Sequence, residues 1–153
     1  MQADHAAAAR GVRLTAWTVA ALWALRLLTA AGLAVDAYVH ADLAPTYDFG
    51  GSGISQGQLF RVEAAAAALA ALLMIGFGTR RLAWAYALLV AAGGVGAVLL
   101  YRYVDVGAFG PLRNMYEPIW YPEKTLSLVA EAAAAVLAVV GLLLAHRQHR
   151  KTP

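Results

Sequence analysis

The sequence contains no cysteine. Disulfides, thiolate metal sites, iron–sulfur ligation and thiol redox chemistry are therefore excluded. Charge is also scarce, since 14% of the 153 residues are Asp, Glu, Lys or Arg, against about 25% in an ordinary soluble domain. Because 61% of the residues are hydrophobic, the composition predicts a membrane protein with little chain left for a separate soluble domain.

Diagnostic catalytic motifs are missing as well. No serine-nucleophile motif, phosphate-binding loop or zincin pattern is present, so the sequence predicts no catalytic residue and requires no cofactor. His40 is the only histidine in or bordering the apolar part of a predicted span, and His5, His146 and His149 belong to the predicted cytoplasmic ends, which argues against bis-histidine haem ligation. The formal net charge of +3 comes from basic residues grouped at span ends, so no nucleic-acid partner is expected.

Four apolar stretches are long enough to cross a bilayer, which takes about 20 residues. They predict helices at about 14–40, 55–78, 82–104 and 122–146. The predicted fold is an all-α membrane protein, a four-transmembrane-helix bundle in which residues 1–153 form a single domain. Two helix starts are marked in detail: Ser55 with Gln58 forms a capping-box pattern, and Pro122 suits a first helical position.

Basic residues orient this bundle. With four spans they all fall on one side, which the positive-inside rule assigns to the cytoplasm; they are Arg10, Arg13, Arg80, Arg81, Arg147, Arg150 and Lys151. Both termini are thus predicted to be cytoplasmic and the location to be the plasma membrane. Two long extracytoplasmic loops carry an aromatic belt of Tyr47, Phe49, Tyr103, Phe109, Tyr116, Trp120 and Tyr121. Loops of this length either are mobile surface segments or act as lids or binding elements.

Ionisable residues within the spans predict a buried polar site. Helix one places Arg26, Thr29, Leu33, Asp36 and His40 within a sector of roughly 80°, and Asp36 and His40 are one turn apart, so they can bond directly. That face should point into the bundle.

An internal similarity places two further carboxylates at one depth. Residues 63–70 and 131–138 match at all but one of eight positions, which indicates either duplication or the chance of an alanine-rich chain. Glu63 and Glu131 would then lie about 10 to 12 Å below the helix starts, at 1.5 Å per residue.

An ionisable side chain at the centre of a spanning helix costs about 2.5 to 3.5 kcal/mol on insertion scales. We therefore expect Asp36, Glu63 and Glu131 to pair in a buried network with cations near the outer helix ends, namely Arg61, Arg102 and Lys124. Arg26 lies deeper, and either snorkels toward the cytoplasm or faces a cavity. The predicted ligand or proton site is an outward-facing cavity formed by Arg26, Asp36, His40, Arg61, Glu63, Arg102 and Glu131.

Residues 63–91, with the turn Ile-Gly-Phe-Gly-Thr-Arg-Arg-Leu-Ala at 75–83, and the Leu-Arg-Leu-Leu segment at 25–28 resemble DoxX-like proteins. The resemblance covers about half of the chain. It implies a four-helix integral membrane protein, of a kind that includes partners in membrane quinone or thiol redox complexes, and it carries over no catalytic residue. The chain departs from the pattern in helix two, which has alanine where that family tends to have glycine, and at the Tyr-Pro-Glu-Lys segment of 121–124.

Three functional readings remain open. The first is a non-catalytic accessory or small-ligand-binding subunit whose cavity accepts a lipid, a quinone head group or a partner helix. The second is a small proton-coupled transporter that uses membrane carboxylates. The third is a membrane enzyme or metal protein, with Asp36 and His40 as the candidate ligands near Asp42 and Asp48. The expected partners are the lipid bilayer and either a second copy of the chain or a membrane redox protein.

Overall fold

The structure, a computed structural model, describes residues 2–48 and 53–149, with side chains for 17–48 and 53–145. Within these ranges the chain is helical, with α1 at Gln2–Leu43, α2 at Gln56–Phe77, α3 at Arg81–Tyr103 and α4 at Pro122–His149. Two isolated β-bridges, Ile54 to Leu112 and Phe109 to Leu112, lie in the connections. Segments of all four helices are long and apolar enough to cross a membrane: Trp17–Leu43, Gln56–Phe77, Arg81–Tyr103 and Pro122–Ala145. The prediction of an all-helical chain with four helices long and apolar enough to span a membrane is confirmed.

Helix starts follow local sequence signals. The Ser55 hydroxyl accepts a bond from the Gln58 amide at 3.1 Å, and the Gln58 side chain accepts one from the Ser55 amide at 3.0 Å, so the predicted capping box is confirmed. Helix α4 begins at Pro122 as expected. Helix α1 differs, since it begins at Gln2 rather than near residue 14. The alanine run at 6–9 explains the extension, because alanine has the highest helix propensity.

Each helix packs against two neighbours. Helix α1 packs on α2 and α4, α3 packs on α4 and α2, and α1 and α3 lie diagonally opposite with little contact. The buried core is mostly alanine, for example Ala67, Ala87 and Ala134, whereas large apolar side chains face outward, with Leu82 81% and Leu89 70% exposed. Small residues let helix backbones approach closely, and an apolar exterior of this kind suits contact with lipid.

The two ends of the bundle differ in their connections. The α1–α2 and α3–α4 connections, at 44–55 and 104–121, lie at one end, which we call the long-loop end. The three-residue connection at 78–80 lies at the other, the turn end. Several residues of the sequence-based topology fall outside the described side chains: Arg10, Arg13, Phe49, Arg147, Arg150, Lys151, and the histidines His5, His146 and His149.

Candidate functional site

A polar cluster joins α1 to α4 inside the bundle, toward the long-loop end. Asp36 and Glu131 are both 0% exposed, and Ser127 is buried one turn from Glu131. The Ser127 hydroxyl lies 2.7 Å from Asp36 Oδ1 and 3.3 Å from Glu131 Oε1. We call Asp36, His40, Ser127 and Glu131 the carboxylate cluster.

His40 completes this cluster from the next turn of α1. Its Nδ1 lies 2.9 Å from Asp36 Oδ1 and 3.2 Å from the Asp36 carbonyl oxygen, so the predicted direct bond is confirmed. The imidazole also packs edge-on against Phe60, at 5.1 Å between ring centroids. When Nδ1 donates its proton to Asp36, Nε2 of a neutral imidazole keeps a lone pair.

Helix geometry explains why these groups meet. Asp36 with His40 and Ser127 with Glu131 are both spaced by four residues, which puts each pair on one helix face. Helix α3 passes close to this face at Gly94, where an added Cβ would overlap the Glu131 carboxylate. Gly93 and Gly96, by contrast, have no neighbour within 4 Å of an added Cβ. Of these three glycines, Gly94 is the one that the site requires.

A cavity of about 310 Å³ opens at the long-loop end beside the cluster. Its walls are largely apolar and aromatic, including Leu59, Phe60, Val98 and Met115. Polar side chains are interspersed among them: His40, Gln56, Glu63, Tyr101, Glu117, Tyr121, Lys124 and Ser127. Because His40 and Ser127 both line the cavity and bond to Asp36, the cavity leads directly to the carboxylate cluster.

Three carboxylates carry an oxygen with no hydrogen-bond partner among the described residues. These atoms are Asp36 Oδ2, Glu63 Oε1 and Glu131 Oε2, all buried. Buried polar atoms are nearly always paired in folded proteins, and an unpaired one costs about 1–3 kcal/mol or more when charged. Their concentration around one cavity points to a bound group supplied from outside the described chain.

The prediction that these carboxylates form ion pairs with the nearby cations is wrong. Arg61 is exposed and pairs with Asp48 at 2.8 Å. The guanidinium of Arg102 lies over the rings of Tyr103 and Trp120, at 5.0 and 5.4 Å from their centroids. Arg61 therefore reaches a carboxylate outside the cluster, whereas Arg102 has aromatic neighbours and its buried Nε has no hydrogen-bond partner among the described residues.

Lys124 also departs from that expectation, although it lines the cavity. Its ammonium donates to the carbonyl oxygens of Glu117 and Ile119, at 2.5 and 3.2 Å. No ion pair within the described residues joins Glu63 or Glu131 to an Arg or Lys. Glu63 and Glu131 are therefore not balanced by Arg or Lys side chains of the described bundle, and His40 pairs with Asp36 alone among the three carboxylates.

Arg26 lies apart from the cluster, at the turn end. Its Nε and Nη2 donate to the carbonyl oxygens of Met74 and Ile75, at 3.2 and 2.7 Å, and its guanidinium lies 4.0 Å from the Trp23 ring centroid. Of the residues predicted for one site, the structure brings together Asp36, His40, Glu63 and Glu131, and it places Arg26, Arg61 and Arg102 elsewhere. The tilt of Cα–Cβ bonds toward a helix N-terminus explains the direction of Arg26.

The connections meet over the cavity, which sequence reasoning did not predict. The Ile54 amide donates to the Pro111 carbonyl at 2.8 Å, and the Tyr47 hydroxyl donates to the Tyr121 hydroxyl at 3.0 Å. Burial is the main cause that raises the pKa of Tyr121, followed by its bond to Tyr47. The presence of one tyrosine in each predicted loop, Tyr47 and Tyr121, could have indicated this contact. The sequence analysis instead places both in the interfacial aromatic belt.

Ser127 was also absent from the predicted site residues, although it shares a helix face with Glu131. Its four-residue spacing from Glu131 was the signal, and its role as the bridge to Asp36 depends on how α1 and α4 pack.

Comparison of the chain with models of protein families, with curated proteins and with solved structures found no match.

Proposed function

We propose that this protein is a non-catalytic, small-ligand-binding accessory protein of the membrane, and that its ligand occupies the cavity at the long-loop end. The ligand is amphipathic, with an apolar body and a head group that donates hydrogen bonds or carries positive charge. The observation that carries this proposal is the partly buried Glu63, which lines the cavity and leaves Oε1 without a partner.

The dimensions and chemistry of the cavity support this ligand class. Small-molecule pockets span about 300 to 1,000 Å³ and are mostly apolar with a few placed polar groups, and a cavity of about 310 Å³ falls at the lower limit. An N–H or O–H of the ligand would satisfy Glu63 Oε1. A ligand cation would in addition offset the charge of the nearby carboxylates.

Binding of matched amphiphiles tests this proposal. The protein in nanodiscs is titrated with dodecylamine and with dodecanoate, which share a chain length and differ in head-group charge. We expect saturable binding of the amine that weakens about 10-fold or more in Glu63→Gln, since a charge-assisted bond is worth about 1.5–3 kcal/mol.

Glu123→Gln is the control, because Glu123 is an exposed carboxylate of the same long-loop end that does not line the cavity. It should bind dodecylamine like the parent. Equal binding of amine and carboxylate, or an unchanged affinity in Glu63→Gln, would contradict the proposal.

We also propose that the long-loop end is extracytoplasmic, in the plasma membrane, with both termini in the cytoplasm. Arg80 and Arg81 at the turn end favour this orientation through the positive-inside rule. The cysteine-free chain permits a clean test with single cysteines at Thr79 or Ala108, which are exposed at opposite ends. An impermeant maleimide applied to intact cells should label Ala108→Cys alone, and labelling of Thr79→Cys alone would reverse the assignment.

The resemblance of residues 63–91 to DoxX-like proteins supports a place in a membrane redox complex. Co-purification under mild detergent tests this proposal. We expect a quinone-reactive or thiol-oxidising membrane protein to accompany the chain in stoichiometric amount, and recovery of the chain alone or only as a homo-oligomer would contradict a redox partner.

A second function, proton-coupled transport, is favoured by the geometry of Ser127. Its single hydroxyl proton faces both Asp36 Oδ1 and Glu131 Oε1, so a second proton on either carboxyl group would complete the set of bonds. In proteoliposomes, dodecylamine added outside should then move protons, as reported by an internal pH dye. Loss of that signal in Glu131→Gln would support transport, and an identical signal in both proteins would contradict it.

A further inference from the structure

We propose that Asp36, His40 and Glu131 form a binding site for one divalent first-row transition-metal ion. One ligand atom from each residue lies within 4.8 Å of the others, and all three side chains are buried. The proposal goes beyond the binding of an amphipathic ligand and does not depend on it, because Glu63 carries the ligand proposal and, of these three residues, His40 alone lines the cavity.

The spare oxygens of the two carboxylates are the observation that points to an ion. Asp36 Oδ1 accepts from Ser127 and contacts His40, while Oδ2 has no partner; Glu131 Oε1 lies near Ser127, while Oε2 has no partner. Each fully buried carboxylate thus has one oxygen held by the protein and one left available. Ligating carboxylates in metal sites are oriented by such hydrogen bonds.

Charge balance favours a divalent ion. Two ionised carboxylates and a neutral imidazole carry a charge of −2, and no Arg or Lys of the described residues pairs with them. An unpaired charge is costly in a membrane interior. A 2+ ion makes the site neutral while leaving the imidazole available as a ligand.

The donor types narrow the choice of metal. Zinc accepts imidazole nitrogen and carboxylate oxygen, and manganese and iron accept the same mixture. Calcium prefers six to eight oxygen ligands, which three residues that include an imidazole do not supply. Metal–ligand distances are about 2.0–2.2 Å, so the three side chains would have to draw together by roughly an ångström around an ion.

Access and space are both provided. The cavity reaches His40 and Ser127 from the long-loop end, which gives an ion an entry route and leaves room for water as a further ligand. Gly94 supports the site from α3, because a side chain there would displace the Glu131 carboxylate. A Gly94→Ala protein should therefore bind metal more weakly, although every ligand is retained.

The test uses the full chain in detergent, purified with a histidine-free tag and stripped with EDTA. Titration with Zn²⁺ and, separately, Mn²⁺ should show saturable binding of one ion per chain to the parent. Asp36→Asn, Glu131→Gln and His40→Gln should each weaken binding at least 10-fold, and Glu123→Gln should not. The paired substitutions His146→Gln and His149→Gln, at the C-terminal end of α4, should also leave binding intact, which separates the proposed site from these two histidines.

Cobalt provides a second readout that does not depend on variant stability. Co²⁺ bound to the parent should give visible d–d absorption of a mixed nitrogen and oxygen site, and Zn²⁺ should abolish it. Absence of saturable binding of Zn²⁺, Mn²⁺ and Co²⁺ by the parent would overturn the proposal. Binding that the three cluster variants retain, or that only the paired His146→Gln and His149→Gln variant loses, would also overturn it. Dodecylamine binding measured in EDTA distinguishes this failure from failure of the proposed cavity function.

Discussion

The turn end and the long-loop end of the bundle each bury charged groups, but they treat them differently. At the turn end, the Arg26 guanidinium donates to two carbonyl oxygens of α2, and the Trp84 indole donates to Gly78 at 2.8 Å. At the long-loop end, Asp36, Glu63 and Glu131 each retain an unpaired buried oxygen beside a cavity. The buried cation at the turn end therefore links α1 to α2, whereas the buried carboxyl groups at the long-loop end keep oxygen atoms available for a ligand or an ion.

Arg26→Met is expected to have the largest effect on stability. Methionine keeps much of the side-chain volume but removes both bonds to the last turn of α2, where backbone carbonyls lack helical partners. We expect a loss of about 3 kcal/mol in the free energy of unfolding in mixed micelles, since bonds from charged donors are worth about 1.5–3 kcal/mol. Arg80→Gln is the control, because Arg80 is exposed at the same end. Equal stability of the two variants would remove the contrast between the ends.

Gly94→Ala should have the next largest effect. The added methyl group would overlap the Glu131 carboxylate, and overpacking of a buried site costs about 1–3 kcal/mol. Gly96→Ala is a matched control two residues along α3, where nothing lies within 4 Å. That control should be neutral or stabilising by up to about 1 kcal/mol, because alanine favours helix. Equal shifts in the melting temperatures of the two variants would contradict the close contact between α3 at Gly94 and the Glu131 carboxylate.

Ser127→Ala should have a smaller effect. It removes the hydroxyl that bridges Asp36 and Glu131, at an expected cost of about 1–2 kcal/mol. Thr125→Ala removes an exposed hydroxyl that bonds only to the Tyr121 carbonyl at the start of its own helix. It should cost only a few tenths of the stability that Ser127→Ala loses. Thermal unfolding of both variants checks this prediction. Equal losses of stability in the two variants would contradict a stabilising bridge from Ser127 to Asp36 and Glu131.

Asp48→Asn should have the smallest effect. Hydrogen bonds from Arg61 and Ser55 hold the pKa of Asp48 below its usual range, so its contribution is present above the unfolded-state pKa of about 3.9 and disappears as pH falls through the folded-state pKa. The group is solvent-exposed, so the effect is screened. Melting of parent and variant should differ slightly at pH 7 and converge as the pH falls below the folded-state pKa of Asp48; a difference that grows on acidification would contradict this assignment.

Parts of this arrangement could be predicted from sequence because they depend on residues close together in the chain. The Ser55 cap, the start at Pro122 and the bond between Asp36 and His40 each follow from a spacing of four residues or fewer. The partners of Arg61, Arg102 and Lys124 could not be predicted, since long flexible side chains at helix ends can reach loop carboxylates, aromatic rings or carbonyl groups equally well. The approach of Gly94 to Glu131 and the contact of Ile54 with Pro111 depend on packing between distant segments, which periodicity does not encode.

The most direct test of the contrast is the stability of Glu131→Gln in ligand-free, EDTA-treated protein, measured by unfolding in mixed micelles. Glutamine keeps an oxygen for Ser127 and removes a buried carboxyl group that pairs with no Arg or Lys of the described residues. We expect a variant that is at least as stable as the parent and that, without EDTA, no longer binds metal. Destabilisation by about 3–5 kcal/mol, as when one partner of a buried ion pair is removed, would contradict it.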